Sequence, residues 1–180
     1  MSRYQPNPVP ADLNDLQRYI DVELTRIRDV VNVKVDRAYG GLIEEPPPAT
    51  ILLPNPSPVL FNPYTKEIPA RPDGVNPDLA SGSLTILSGG TFLVNFKTSI
   101  INIAPNEQWN LFLYVNGVQS SIGGTASPSN QTEIVSVSFS GYYQATKGDT
   151  FTVLIDSPTS SDADVVSSSF TANRVSETTD

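Results

Sequence analysis

From about Ser81 to Val175 the chain is cut into short runs of β-branched and aromatic residues separated by turn residues, with no helical periodicity between them. Such runs must pair with one another, because an isolated strand leaves its amide groups unsatisfied and its apolar face wet. Six runs stand out: Ser83 to Leu87, Thr91 to Lys97, Trp109 to Val115, Glu133 to Phe139, Phe151 to Ile155 and Val165 to Thr171. Phe92, Val94 and Phe96 share one face, as do Val135, Val137 and Phe139, which marks strands with one side in a core. In Trp109 to Val115 both faces are apolar, since Leu111, Leu113 and Val115 alternate with Phe112 and Tyr114. That pattern predicts a central strand or one at a subunit contact.

The connections carry their own signals. Asn116-Gly117 between Tyr114-Val115 and Val118-Gln119 predicts a type I′ hairpin, whose two central residues both need positive φ. Gly148-Asp149 marks a second tight turn. Short strands every ten residues or so, without intervening helices, select an antiparallel sandwich or jelly roll.

Upstream the texture differs. Pro6, Pro8 and Pro10 make the first residues extended or irregular. Asp12 is an expected N-cap, and a helix is expected over about 12–39, ending at the glycines of Tyr39-Gly40-Gly41. Within it Leu13, Ile20 and Ile27 fall seven apart, and Leu24, Val31 and Ala38 form the offset series, which is an a/d seam over about three heptads. The seam Leu13, Ile20, Leu24, Ile27 and Val31 is coiled-coil-like and needs a partner, because a lone helix of this length is marginal in water. That partner is either the chain's own β domain or a second copy. The long proline-rich segment that follows favours the second copy.

That segment, residues 46–77, contains ten of the sixteen prolines. Proline lacks an amide proton and fixes φ, so neither a helix nor a central strand can form there. An extended arm is expected, and Ile51, Leu52, Leu53, Val59, Leu60, Phe61 and Ile68 argue that it lies along a surface, which we expect to be a partner's. Recognition of such prolines by an SH3-type domain is the weaker alternative.

Three stretches of the β region resemble the C1q/TNF-like jelly roll: Ser88 to Phe96 (SGGTFLVNF), Asn110 to Gly117 (NLFLYVNG) and Phe139 to Val153 (FSGYYQATKGDTFTV). They supply, in order, a glycine-aromatic strand, a strand ending in Asn-Gly, and a Gly-Asp turn before an apolar strand. The resemblance covers the last half of the chain. It implies a homotrimer with aromatic and aliphatic side chains facing a three-fold axis. The sequence departs from that family in being short, with little after Val175 to form a long final strand. The layout of N-terminal helix, proline-rich arm and C-terminal knob is similar to bacteriophage virion proteins such as head or tail fibres and capsid decoration proteins, in which the N-terminal part anchors and the knob projects.

Composition narrows the chemistry. The chain has no histidine and no cysteine, which removes the commonest general base, the zinc ligands and the thiol nucleophile. Lys97 and Lys147 sit in no serine-lysine motif. The carboxylate pairs Asp162 with Asp164 and Glu107 with Glu133 are read as surface charge before glycosidase chemistry, and Asp162 with Asp164 lacks the remaining ligands of a Ca²⁺ loop. No catalytic residue, cofactor or metal is therefore assigned. A formal charge of -8 and a pI near 4.4 disfavour nucleic acid. The first residues lack signal-peptide features and no apolar run reaches membrane length, so a soluble protein made in the cytosol is expected. Trp109, Tyr142 and Tyr143 are the candidate glycan contacts, since an aromatic ring offers a flat apolar face to a sugar.

These readings combine into a mainly β chain of three parts: residues 1–45 with the helix, the arm over 46–78, and a β jelly roll over 79–180. The function expected of it is non-enzymatic: a homotrimeric fibre or decoration component, assembled in the host cytoplasm and located in the virion, contacting itself and other virion proteins. The alternative is a knob that binds a host receptor or surface glycan.

Overall fold

The computed structural model describes residues 19–24, 39–44, 49–53, 58–68, 74–101, 107–127, 134–159 and 162–177. The chain divides into two compact units, Met1–Arg37 and Ala38–Asp180. In the first, residues 19–24 are helical, within the span expected from the heptads. Ile20 and Leu24 of the expected seam lie in this helix and are exposed, whereas Leu13, Ile27 and Val31 lie outside the described residues.

The second unit holds twelve described strands: β1 (Tyr39–Glu44), β2 (Ala49–Ile51), β3 (Val59–Leu60), β4 (Lys66–Ile68), β5 (Val75–Asp78), β6 (Ser83–Ile86), β7 (Gly90–Ile101), β8 (Trp109–Val115), β9 (Val118–Ala126), β10 (Ile134–Ala145), β11 (Thr150–Asp156) and β12 (Ala163–Glu177). The first sheet runs β10-β7-β12-β1-β4, with β2 also on β12; the second runs β5-β6-β11-β8-β9, with β3 also on β11. All of these pairings are antiparallel. From β6 to β8 and again from β9 to β12 the chain crosses between sheets at each connection, the winding of a jelly roll.

Four expectations need correction. The residues Tyr39-Gly40-Gly41 do not cap a helix but open β1, which lies between β12 and β4. The glycines serve close packing: a Cβ on Gly40 would stand 2.8 Å from the Val75 carbonyl oxygen, and one on Gly41 2.7 Å from that of Phe170. The β unit thus starts some forty residues before 79. The described parts of the proline-rich arm lie along the chain's own sheets, as β2, β3, β4 and β5, instead of running as an unpaired arm. The final strand is long, fifteen residues, and central to its sheet.

Proline still decides where these early strands sit. Pro77 falls in β5, at the edge of the second sheet opposite Leu84, where its missing amide proton interrupts no central ladder. The arm is fixed by its apolar residues. Leu53 and Phe61 are buried with Phe92, Phe96, Trp109, Phe151 and Phe170 in a single core between the sheets. Phe61 meets Phe96 edge-on at 5.2 Å, and Phe96 stacks on Phe139 at 4.8 Å. Each such side chain stabilises the fold by about 1.5 to 3 kcal/mol through burial alone. The alternation read for Phe92, Val94 and Phe96 places all three in this core.

Candidate association surface

With the core between the sheets, function falls to their outward faces. On the first sheet the register sets Tyr39 opposite Asn173, Asn173 opposite Leu93, and Leu93 opposite Tyr142. Residues directly opposite in antiparallel strands share a face, so these four form one cross-strand row. At about 4.8 Å between strands the row spans roughly 14 Å. Tyr39 is 38% exposed and Tyr142 69%, which leaves two aromatic rings and the half-buried Leu93 between them facing water.

Below this row the part of the face carried by β7, β10 and β12 is mostly polar. Ser140 donates to Asn95 Oδ1 at 2.8 Å, and the hydroxyls of Ser99 and Ser136 lie 3.1 Å apart. Ser138 and Ser169 flank Lys97 on its two sides. At the far end Ile134 pairs with Ile101 and is exposed.

The second sheet also carries an outward apolar row, Leu60, Leu154, Phe112 and Gly123 in register. Here the aromatic ring is folded onto its own sheet, since a Cβ on Gly123 would collide with Phe112 Cδ1. The neighbouring rung is closed by side chains: Asn110 Nδ2 donates to Asp156 at 2.7 Å, while Thr125 donates to Asn110 at 2.9 Å. The first sheet therefore presents the more exposed aromatic surface.

The fold is the C1q/TNF-like jelly roll. The unit is similar to the globular domain of zebrafish complement 1qA protein, with a TM-score of 0.57 and 14% identity over 78% of this chain and 99% of that one. It is also similar to murine APRIL, with a TM-score of 0.55 and 11% identity over 78% and 100% of the two chains. Eiger TNF from S. frugiperda gives a TM-score of 0.55 and 10% identity over 80% and 94%. No family model and no curated protein matches the sequence.

The jelly roll separates the three aromatics proposed as glycan contacts. Trp109 is 0% exposed, because it starts β8 on the inward register of Leu111 and Leu113. Its ring has no face to offer, so Trp109 is a core residue and not a glycan contact. Tyr143 points inward and meets Phe151 edge-on at 5.6 Å. Tyr142 points out, as adjacent residues of a strand must. It is the most exposed of the three.

Carboxylates act structurally where they were weighed as ligands. Asp164 accepts the Thr50 hydroxyl at 2.6 Å and Asp162 accepts the Leu53 amide at 2.9 Å. Glu44 accepts the Ala49 amide at 3.1 Å, so three carboxylates clasp residues 49–53 against β12. The sequence signal for that clasp is Asp162-Ala163-Asp164 at the head of an apolar strand. Among the described residues no group of three or more acidic side chains is placed to hold a metal, and no helix is long and apolar enough to cross a membrane.

Proposed function

We propose that this chain is a non-enzymatic structural protein of a virus particle, a homotrimeric fibre or decoration component whose jelly-roll knob projects and whose N-terminal part attaches to other virion proteins. The observation that carries self-association is the row Tyr39, Leu93 and Tyr142 on the first sheet. A jelly roll that acted alone would gain nothing from two exposed aromatic rings on a sheet face, whereas association would bury them. The family this fold resembles assembles as homotrimers. The heptads upstream of β1 provide a second seam for the same copies, and the absence of histidine and cysteine from the chain suits a structural role.

Native mass spectrometry of the whole protein at micromolar concentration tests the reading. A trimer is expected, and a monomer there overturns the assembly. Labelling of intact particles with an antibody to the knob tests its place in the virion; a particle-free soluble pool as the sole location would sink that part.

Tyr142 favours a second reading, a host-receptor or glycan-binding knob, since its exposed ring could stack on a sugar. A glycan array probed with wild type and Tyr142→Ala separates the two. Binding lost in the variant supports the receptor reading, and no binding leaves the knob a projecting element.

A further inference from the structure

We propose that Glu44, Ser168 and Tyr64 form an internal binding site for one ordered water molecule at the break between β1 and β2. Glu44 Oε2, Ser168 Oγ and Tyr64 Oη are all buried and have no hydrogen-bond partner. The three residues are 5%, 7% and 7% exposed. Their convergence follows from the register. Glu44 stands directly opposite Ser168 in the β1–β12 pair, so both side chains enter the sandwich side by side. Tyr64 stacks on Phe170 at 6.4 Å, and Phe170 lies two residues from Ser168 on the same face of β12. The Thr65 amide donates to the Ile43 carbonyl at 3.0 Å, which sets Tyr64, the residue before Thr65, beside Glu44, the residue after Ile43.

The position has a chemical cause. On β12 the β1 ladder ends at the Glu44 and Ser168 pair, and the β2 ladder begins at Ala49 and Val165. In sequence, residues 45–48 separate Glu44 from Ala49. Glu44 bridges the break by accepting the Ala49 amide with Oε1, which leaves Oε2 turned inward. Three orphaned oxygens from β1, β12 and the segment before β4 are together costly unless something joins them.

Water fits and a metal ion does not. A buried water makes two to four hydrogen bonds to polar groups. Here it would accept from Tyr64 Oη, donate to Glu44 Oε2 and exchange a hydrogen bond with Ser168 Oγ. A calcium ion asks for six to eight oxygens, and one carboxylate with two neutral hydroxyls falls far short.

A crystal structure of the full chain at a resolution that shows ordered solvent, compared with that of Tyr64→Phe, decides the matter. The expected result is a peak at about 2.6 to 3.2 Å from all three oxygens, with the Tyr64→Phe variant losing one contact or the peak. An empty site in which Tyr64 Oη donates straight to Glu44 overturns the proposal. So does a peak with contacts near 2.4 Å whose loss on removal of cations lowers the melting temperature, since that is a metal. Should crystals fail, water-to-amide cross-relaxation by NMR at Ala49 in the full chain gives the same decision: a long-lived water signal is expected, and its absence overturns the site.

Discussion

Asn116 and Asp149 tie together the tips of two turns that are 33 residues apart in sequence, the Asn116 amide donating to the Asp149 carboxylate at 2.8 Å. Asn116 in turn accepts the Thr150 amide at 2.9 Å, and Asp149 accepts the Thr146 amide at 2.7 Å. Asn116 has φ of 52° and Gly117 of 79°, the geometry a type I′ hairpin requires. The Asn-Gly and Gly-Asp signals, read separately in the sequence, are thus halves of one latch.

Replacing Asp149 with Ala is expected to destabilise the domain by about 1 kcal/mol, the usual net value of an exposed hydrogen-bonded group. The Thr146 amide and the Asn116 amide hold its carboxyl below the usual range. A depressed folded value means the contribution is present above the ordinary carboxylate pKa and is lost as pH falls through the folded one. Chemical denaturation of wild type and variant should therefore differ at pH 7 and converge in strong acid. An equal gap at both pH values would refute the latch.

Glu44 predicts the opposite window. Burial pushes its carboxyl up to about 7 from 4.5, against the lowering effect of the Ala49 amide. Between those values the folded protein keeps a proton that the unfolded chain has released, so this contribution weakens as pH rises from about 4.5 to 7 and is flat above. Unscreened, the difference between about 7 and 4.5 corresponds to about 3 kcal/mol, and solvent screening of the carboxyl reduces it to about 2 kcal/mol. In Glu44→Gln the slope of stability over that interval should flatten; an unchanged slope would place the titration elsewhere.

Phe112 and Gly123 predict a rescue. Gly123→Ala puts a methyl into the Phe112 ring and 2.7 Å from the Leu111 carbonyl oxygen, and should cost about 1 to 3 kcal/mol as overpacking. Adding Phe112→Ala removes the ring clash and should recover part of that cost, as read by thermal melts of both single variants and the double. Strictly additive losses would show that the ring does not lie over the glycine.

What was legible follows from which forces were local. Strand β8 was read to its end residues, because its alternation and its Asn-Gly turn both lie within nine consecutive positions. Strand β9 gave only its first two residues, since Ser120, Ser121, Gly123 and Gly124 lack strand character and pair because β8 templates them. Strands β1 to β5 were hidden for a related reason. Gly40 and Gly41 look like a helix cap until Val75 and Phe170 are brought against them, and the prolines of the arm mask segments whose partners lie up to 114 residues away. For the site, sequence could say that Tyr142 and Tyr143 face opposite ways; that Tyr143 is the inward one follows once β10 runs on unbroken from Val137 and Phe139 through Gly141. Trp109 looks like a ligand contact in the sequence because its burial depends on the opposite sheet.

The sharpest separation is between Trp109 and Tyr142. Trp109→Ala removes a fully buried ring and should cost about 3 to 5 kcal/mol, enough to lower the melting temperature and any assembly with it. Tyr142→Ala, paired with Leu93→Ser, touches only the outward row, so the monomer fold measured by circular dichroism should be preserved. Its expected effect is on mass: the trimer signal should weaken or give way to monomer at the same concentration. Because Tyr39 sits at the other end of the row, beyond Asn173, Tyr39→Ala should act in the same direction. If all three outward variants remain trimeric while Lys97→Glu, in the polar centre of the same face, dissociates them, then the copies meet through the serine-rich rows and the aromatic row is free to bind something else.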